Sequence, residues 1–89
     1  MTVLGRHRAD ILRIAAKYGA SNIRVSGADD GPGSDLDFAV DMEPGRSLFD
    51  LVDLGRELQE LLGRRVEVLT AATLSPRLLA SIMAEAKTL

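Results

Sequence analysis

The stretch SDLDFAVDM, residues 34–42, decides the fold because its alternating pattern is that of a strand. Side chains along a strand alternate between two faces. One face of this strand is apolar and consists of Leu36, Phe38 and Val40. The other face carries Asp35 and Asp37, which are one residue apart. Aspartate is depleted in strands and is seldom buried, so this second face requires an explanation.

The residues before this strand predict a helix, a strand and a loop. Apolar residues at helical spacing predict a helix over 4–18, and Gly19 suits its left-handed C-terminal cap. Alternating apolar and polar residues predict a strand over 23–27, with a turn before it at residues 21–22. The stretch ADDGPG, residues 28–33, combines glycine, proline and aspartate and predicts a loop.

The residues after this second strand predict a long helix. Ser47 is a suitable N-cap, and the helix is predicted to end at Leu62 with Gly63 as its C-cap. Its predicted apolar stripe consists of Leu48, Leu51, Val52, Leu58, Leu61 and Leu62.

The C-terminal part of the chain predicts one more strand and one more helix. Alternation predicts the strand over 64–70, and Ser75 followed by Pro76 predicts the start of a helix that reaches Ala86. The order of elements is therefore helix, strand, strand, helix, strand, helix. This order predicts an α/β (α+β) fold in a single domain over residues 1–89.

Composition and charge place the chain among folded globular proteins. Of its 89 residues, 46% are hydrophobic and 27% are charged, a balance that argues against a disordered chain. The net charge is -2 and the basic residues are scattered, which argues against direct binding to nucleic acid. The chain has no cysteine and no apolar run near the ~20 residues that span a bilayer. We therefore expect a cytoplasmic protein with no membrane segment.

The two aspartates predict a site for a divalent cation. Asp35 and Asp37 share a face at close range, so a cation is needed to keep both carboxylates ionised. Magnesium suits such a pair because it binds carboxylate oxygens together with water and substrate phosphates. Glu67 would add a third carboxylate if the second and third strands pair. Such a site predicts phosphoryl or nucleotidyl transfer, with a second ion at the leaving phosphate.

A structural interpretation of the same residues is also open. Carboxylates on the open face of an antiparallel sheet are common, and a single glutamate in a strand is usually exposed. Glycine and aspartate are ordinary turn formers, so the loop has no necessary function. On this interpretation the chain is a small interaction domain without a catalytic site.

The sequence from residue 34 to residue 86 resembles a known family. The segments SDLDF, GRSLFDLVDL, ELLGRRVEVLT and LSPRL occur in the order and spacing of the minimal nucleotidyltransferases, or MNT domains, of the polymerase-beta superfamily. The resemblance covers nearly the whole chain and is strongest from Ser34 to Leu79. It implies a small nucleotidyltransferase fold in which helices pack on a mixed three-stranded sheet.

The resemblance implies roles for the three carboxylates. Asp35 and Asp37 match the family's strand motif, which binds magnesium, and Glu67 takes the place of the third acidic ligand, which is usually aspartate. The implied catalytic and metal-binding residues are therefore Asp35, Asp37 and Glu67. ATP is the implied substrate, and magnesium is the implied cofactor.

The loop after the first strand departs from the family pattern. Gly27 stands at the glycine of the family's Gly-Ser pair, whereas Ala28 takes the place of the serine. The spacer that ends at Ser34 is shorter than in the family and lacks its short helix. The implied nucleotide-binding residues are Gly27, Ala28 and Ser34.

The resemblance also implies a partner protein. Active family members transfer AMP from ATP to a tyrosine of a HEPN toxin and so silence its ribonuclease. The chain is thus expected to be an antitoxin that forms a hetero-oligomer with such a toxin. The shortened loop leaves an alternative open, in which a catalytically degenerate MNT antitoxin neutralises its toxin by direct binding.

Overall fold

Two helices and four strands are defined in the part of the chain that the structure describes. This structure is a computed structural model, and it describes residues 3–27, 35–70, 76–77, 80, 84 and 87–89. The elements are helix α1 (Val3–Lys17), strands β1 (Ala20–Ser26) and β2 (Leu36–Met42), helix α2 (Leu48–Leu62), and strands β3 (Val66–Leu69) and β4 (Lys87–Thr88). Neither of these helices is long and apolar enough to cross a membrane.

The predicted last helix is described only in part. Pro76, Arg77, Ala80 and Ala84 are in helical conformation, as the sequence predicts. The remaining residues of that prediction lie outside the described residues.

The strands form one mixed sheet in the order β3-β2-β1-β4. Strand β1 is antiparallel to β2 and to β4, whereas β2 and β3 are parallel and are connected by α2. The predicted mixed α+β fold is therefore confirmed. Strand β4 adds a short fourth strand that the sequence does not predict, because two residues are too few to show an alternating pattern.

The apolar face of β2 forms the centre of the core. Helices α1 and α2 pack against this face, and the two helices also contact each other. The largest fully buried side chains are Ile11, Leu36, Phe38, Leu54 and Leu58. A Cβ atom added to Gly55 of α2 would lie 3.4 Å from the side chain of Val68, so the helix also packs closely on β3. The acidic face of β2 is consequently the face that points away from α1 and α2.

The ends of α2 lie where the sequence predicts them. At the N-terminus, the Ser47 N–H donates a hydrogen bond of 3.0 Å to the Asp50 carboxylate, which caps the first turn. At the C-terminus, Gly63 adopts a left-handed conformation with φ 65, and its N–H donates to the Gln59 carbonyl at 2.9 Å. Both ends are determined by local interactions, which is why sequence signals locate them.

The buried face of α2 differs from the predicted stripe. Leu48 is 68% exposed and Val52 is 55% exposed, whereas Leu54, which the prediction omits, is completely buried. The buried residues of this helix are Leu54, Leu58 and Leu62. Apolar residues lie on several sides of α2, so periodicity alone does not select one face. Contact with α1 and the sheet makes that selection.

Strand β1 begins earlier than predicted. Ala20 and Ser21 pair with β2, although Ser21 and Asn22 are typical turn residues. The register shifts between Ser21 and Arg24, and Asn22 has a positive φ of 53. Asparagine tolerates this conformation better than most residues. The turn-forming residues therefore produce a bulge within the strand rather than a turn before it.

Candidate active site

The parallel pairing of β2 and β3 brings two acidic residues together. Asp37 lies directly opposite Glu67 in this pair. Val66 and Val68 flank Glu67 and border a groove beside α2, so the Glu67 side chain lies on the other face of the sheet. Asp37 lies on that same face. The strand pairing on which the third carboxylate depends is therefore present.

The electrostatics of Asp37 reflect this arrangement. Partial removal from water raises the pKa of the Asp37 carboxyl, the neighbouring Glu67 raises it further, and Asp35 adds a smaller increase. Asp37 is half-buried, whereas Asp35 and Glu67 are exposed. Ionisation of Asp37 therefore carries an electrostatic cost, and a cation placed beside the carboxylates would offset it.

The donor set suits magnesium. Magnesium is usually held by one or two carboxylates, with waters and substrate phosphates completing its octahedral shell. Within residues 3–27, 35–70 and the described C-terminal residues, no group of three or more His, Cys, Asp or Glu side chains is arranged to hold a metal ion. The Asp37 and Glu67 pair therefore fits an ion that takes the rest of its ligands from water and substrate.

The end of β1 completes this side of the sheet. Ser26 lies opposite Asp37 in the antiparallel pair, so its hydroxyl is on the same face as the carboxylates. Gly27 has a φ of 86, and a Cβ atom added there would overlap the carbonyl oxygen of Asp35. The chain can thus pass Asp35 only with glycine at this position. The prediction from sequence omits Ser26, although its place just before Gly27 is a usable signal.

The predicted nucleotide-binding residues are described in part. Gly27 lies against the backbone of Asp35, at the same end of the sheet as the carboxylates. Ala28 and Ser34 lie outside the described residues, and so does the short loop between them. The roles of Gly27, Ala28 and Ser34 in nucleotide binding stay predictions.

A groove of about 390 Å³ lies elsewhere on the molecule, between α2 and β3. Its apolar lining consists of Leu48, Leu51, Val52, Val66 and Val68. The three carboxylates are not part of this lining. The groove is therefore separate from the candidate active site.

Comparison with known proteins identifies the class. Residues 29–89 match the family described as nucleotidyltransferase domain, and this range contains all three carboxylates. The chain therefore belongs to the nucleotidyltransferase domain family.

Two relatives show which members of that family this chain is similar to. The chain is 38% identical over 80 residues to a Methanocaldococcus jannaschii protein named "Putative protein adenylyltransferase", and the match covers 85% of this chain and 86% of that protein. It is 36% identical to a solved structure described as "Structure of putative minimal nucleotidyltransferase", with a TM-score of 0.85, covering 100% of this chain and 97% of the other. The resemblance to MNT domains is confirmed by these matches.

Proposed function

We propose that this protein is a magnesium-dependent adenylyltransferase that acts as an antitoxin, transferring AMP from ATP to a tyrosine of a HEPN toxin. The observation that carries this proposal is the placement of Asp37 directly opposite Glu67 on the open face of the sheet, where the pKa of Asp37 is raised. The name of the Methanocaldococcus jannaschii relative supports a protein acceptor.

The proposed roles follow from the geometry of the carboxylates. Asp37 and Glu67 would hold the magnesium together with water and phosphate oxygens, and Asp35, on the same face, is the third predicted ligand. The ion would offset their charge and that of the triphosphate when bound. In the reaction, the tyrosine oxygen forms a bond to the α-phosphorus of ATP. The bond between that phosphorus and the oxygen bridging to the β-phosphate breaks, pyrophosphate leaves, and the hydroxyl proton passes to solvent.

Intact mass spectrometry tests the proposal. The protein would be mixed with magnesium, ATP and a HEPN protein encoded beside it in the genome. The expected result is a mass increase of one AMP on the partner. The variant Asp37→Asn should abolish this increase because it removes the charge of one of the two opposed carboxylates, Asp37 and Glu67.

A control on the same strand makes this test specific. Asp41 lies at the far end of β2, where its carboxylate accepts a hydrogen bond of 3.0 Å from the Asn22 amide. Asp41→Asn makes the same chemical change away from the site, so transfer should persist. Transfer that survives in Asp37→Asn would contradict the proposed role of this carboxylate.

A second candidate function is neutralisation of the toxin by binding alone. It is favoured by the absence of a metal-holding group of three acidic side chains among the described residues, and by Ala28 at the position of the family's serine. In this case the mass experiment would give no AMP on the partner, while size-exclusion chromatography would still show a stable complex.

A further inference from the structure

Arg64 lies at the same end of the sheet as the carboxylates. It follows Gly63, the C-cap of α2, and precedes β3. Its side chain is half-buried, and its Nη2 atom lies 3.5 Å from the carbonyl oxygen of Gly27, at the end of β1. The guanidinium group therefore reaches across the sheet from the start of β3 to the end of β1.

The contacts of Gly27 place this guanidinium near the backbone of Asp35. Gly27 passes so close to Asp35 that an added Cβ atom would overlap the Asp35 carbonyl oxygen. The Leu36 N–H donates a hydrogen bond of 2.9 Å to the carbonyl of Arg65, which fixes the start of β2 to the start of β3. Three chain segments thus meet here, and the Arg64 guanidinium lies at their junction, at the end of the sheet where Asp35 lies.

The charge of the site explains why a cation is useful there. Asp35, Asp37 and Glu67 are all acidic, and a nucleotide adds several negative charges on its phosphates. Arginine matches phosphate oxygens better than lysine does, because its planar group carries five N–H donors in a fixed arrangement. A guanidinium can serve several acceptors at once, so its existing contacts, including the one with Gly27, are compatible with a further contact to phosphate.

We propose that Arg64 binds the phosphates of the nucleotide while it holds the end of β1 in place. This inference rests on the proposed nucleotidyltransferase function and adds a substrate-binding residue to it. Arg65 provides a matched control, since it is adjacent, has the same charge and is exposed. Its guanidinium forms no ion pair with the residues that the structure describes.

Isothermal titration calorimetry with magnesium-ATP and with AMP tests this inference. Loss of a charge-assisted contact in Arg64→Gln should weaken ATP binding by about tenfold or more. AMP has one phosphate, so its affinity should fall by less than the ATP affinity does. Arg65→Gln should change neither affinity by more than about twofold, as expected of an exposed surface charge. Far-UV circular dichroism and thermal unfolding establish that each variant is folded.

The possible outcomes separate this inference from the proposed function. If the unmodified protein binds no nucleotide, the proposed function itself fails. If it binds ATP and Arg64→Gln binds ATP equally well, only the role of Arg64 is wrong. If Arg64→Gln loses the same affinity for ATP and for AMP, Arg64 only holds the end of β1. If Arg65→Gln loses as much ATP affinity as Arg64→Gln does, the effect is one of general charge. Both results overturn the inference.

A conservative variant covers the case in which Arg64→Gln does not fold. Arg64→Lys keeps the positive charge but loses the planar arrangement of donors. We expect it to fold and to bind ATP less tightly than the unmodified protein, with a smaller change for AMP. Unchanged ATP affinity in this variant, with Arg64→Gln unfolded, would overturn phosphate recognition by the guanidinium.

Discussion

The position of Asp37 in the sheet has a cost in stability. Its carboxylate is half-buried opposite Glu67, and both effects raise its pKa. Like charges directly opposite each other on neighbouring strands are destabilising, so Asp37→Asn should raise the free energy of unfolding of the metal-free protein by about 0.2–1 kcal/mol at neutral pH. Urea denaturation followed by circular dichroism measures this difference. Asp41→Asn, made at the other end of β2, should bring no such gain.

The pH dependence of that difference provides a second check. A carboxyl with a raised pKa binds its proton more tightly in the folded state than in the unfolded state. The unmodified protein therefore loses stability as pH rises from the unfolded pKa through the folded pKa of Asp37. The advantage of Asp37→Asn should be complete above this range and should disappear as pH falls through it. A constant difference between pH 3 and pH 8 would contradict the role of ionisation.

Single residues also show which parts of the site could be predicted. Alternation along a strand is a local property, so the sequence is sufficient to place Asp35 and Asp37 on one face. The position of Glu67 opposite Asp37 depends on the register of a parallel pair. That register is set by the packing of α2 and the sheet rather than by the spacing of residues in either strand. From the sequence, the third carboxylate could therefore be predicted only on the condition that the second and third strands pair.

At the scale of elements, α2 shows that local sequence signals determine where a helix begins and ends, whereas packing determines which of its faces is buried. Its ends are predicted correctly because Ser47 and Gly63 act through neighbouring residues. Its buried face is predicted only in part, because leucines, Phe49 and Val52 lie on several sides of the helix. The bulge at Asn22 in β1 is a similar case, since only pairing with β2 shows that the chain continues as a strand.

The same helix gives a sharp mutational contrast. Leu54 is completely buried, whereas Phe49 is 80% exposed. Leu54→Ala should lower the free energy of unfolding by about 2–5 kcal/mol, because it removes packed side-chain atoms from the core. Phe49→Ala removes a larger side chain but should change stability by only about 0.5 kcal/mol or less. Urea denaturation measures both; similar losses in the two variants would contradict the orientation of α2.

At the scale of the whole molecule, the two faces of the sheet differ in what they carry. The face covered by α1 and α2 contains the core, and the opposite face carries the carboxylates. The Lys17 ammonium pairs with the Glu57 carboxylate at 3.1 Å and so connects α1 to α2 on the helical side. Tyr18 and Lys17 hold the pKa of Glu57 below its usual value. The two faces of the sheet therefore differ: an ion pair between the helices lies on one side, and the Asp37 and Glu67 carboxylates lie opposite each other on the other.

The C-terminal residues complete the sheet at the edge farthest from β3. Lys87 and Thr88 pair with Val25 and Arg24, and the Leu89 N–H donates a hydrogen bond of 3.0 Å to the Ile23 carbonyl. Leu89 also packs against the core cluster. Strand β4 therefore protects the outer edge of β1 and anchors the end of the chain to the core.

Deletion of residues 87–89 should consequently affect both stability and association. It removes backbone hydrogen bonds and part of the Leu89 packing, so the free energy of unfolding should fall by about 2–4 kcal/mol. It also exposes the edge of β1, where unpaired N–H and C=O groups can pair with another chain. Light scattering coupled to size-exclusion chromatography should then show larger species for the deletion. Thr88→Ala retains every backbone group and should behave as the unmodified protein. If this variant also forms larger species, exposure of the β1 edge is not the cause of association.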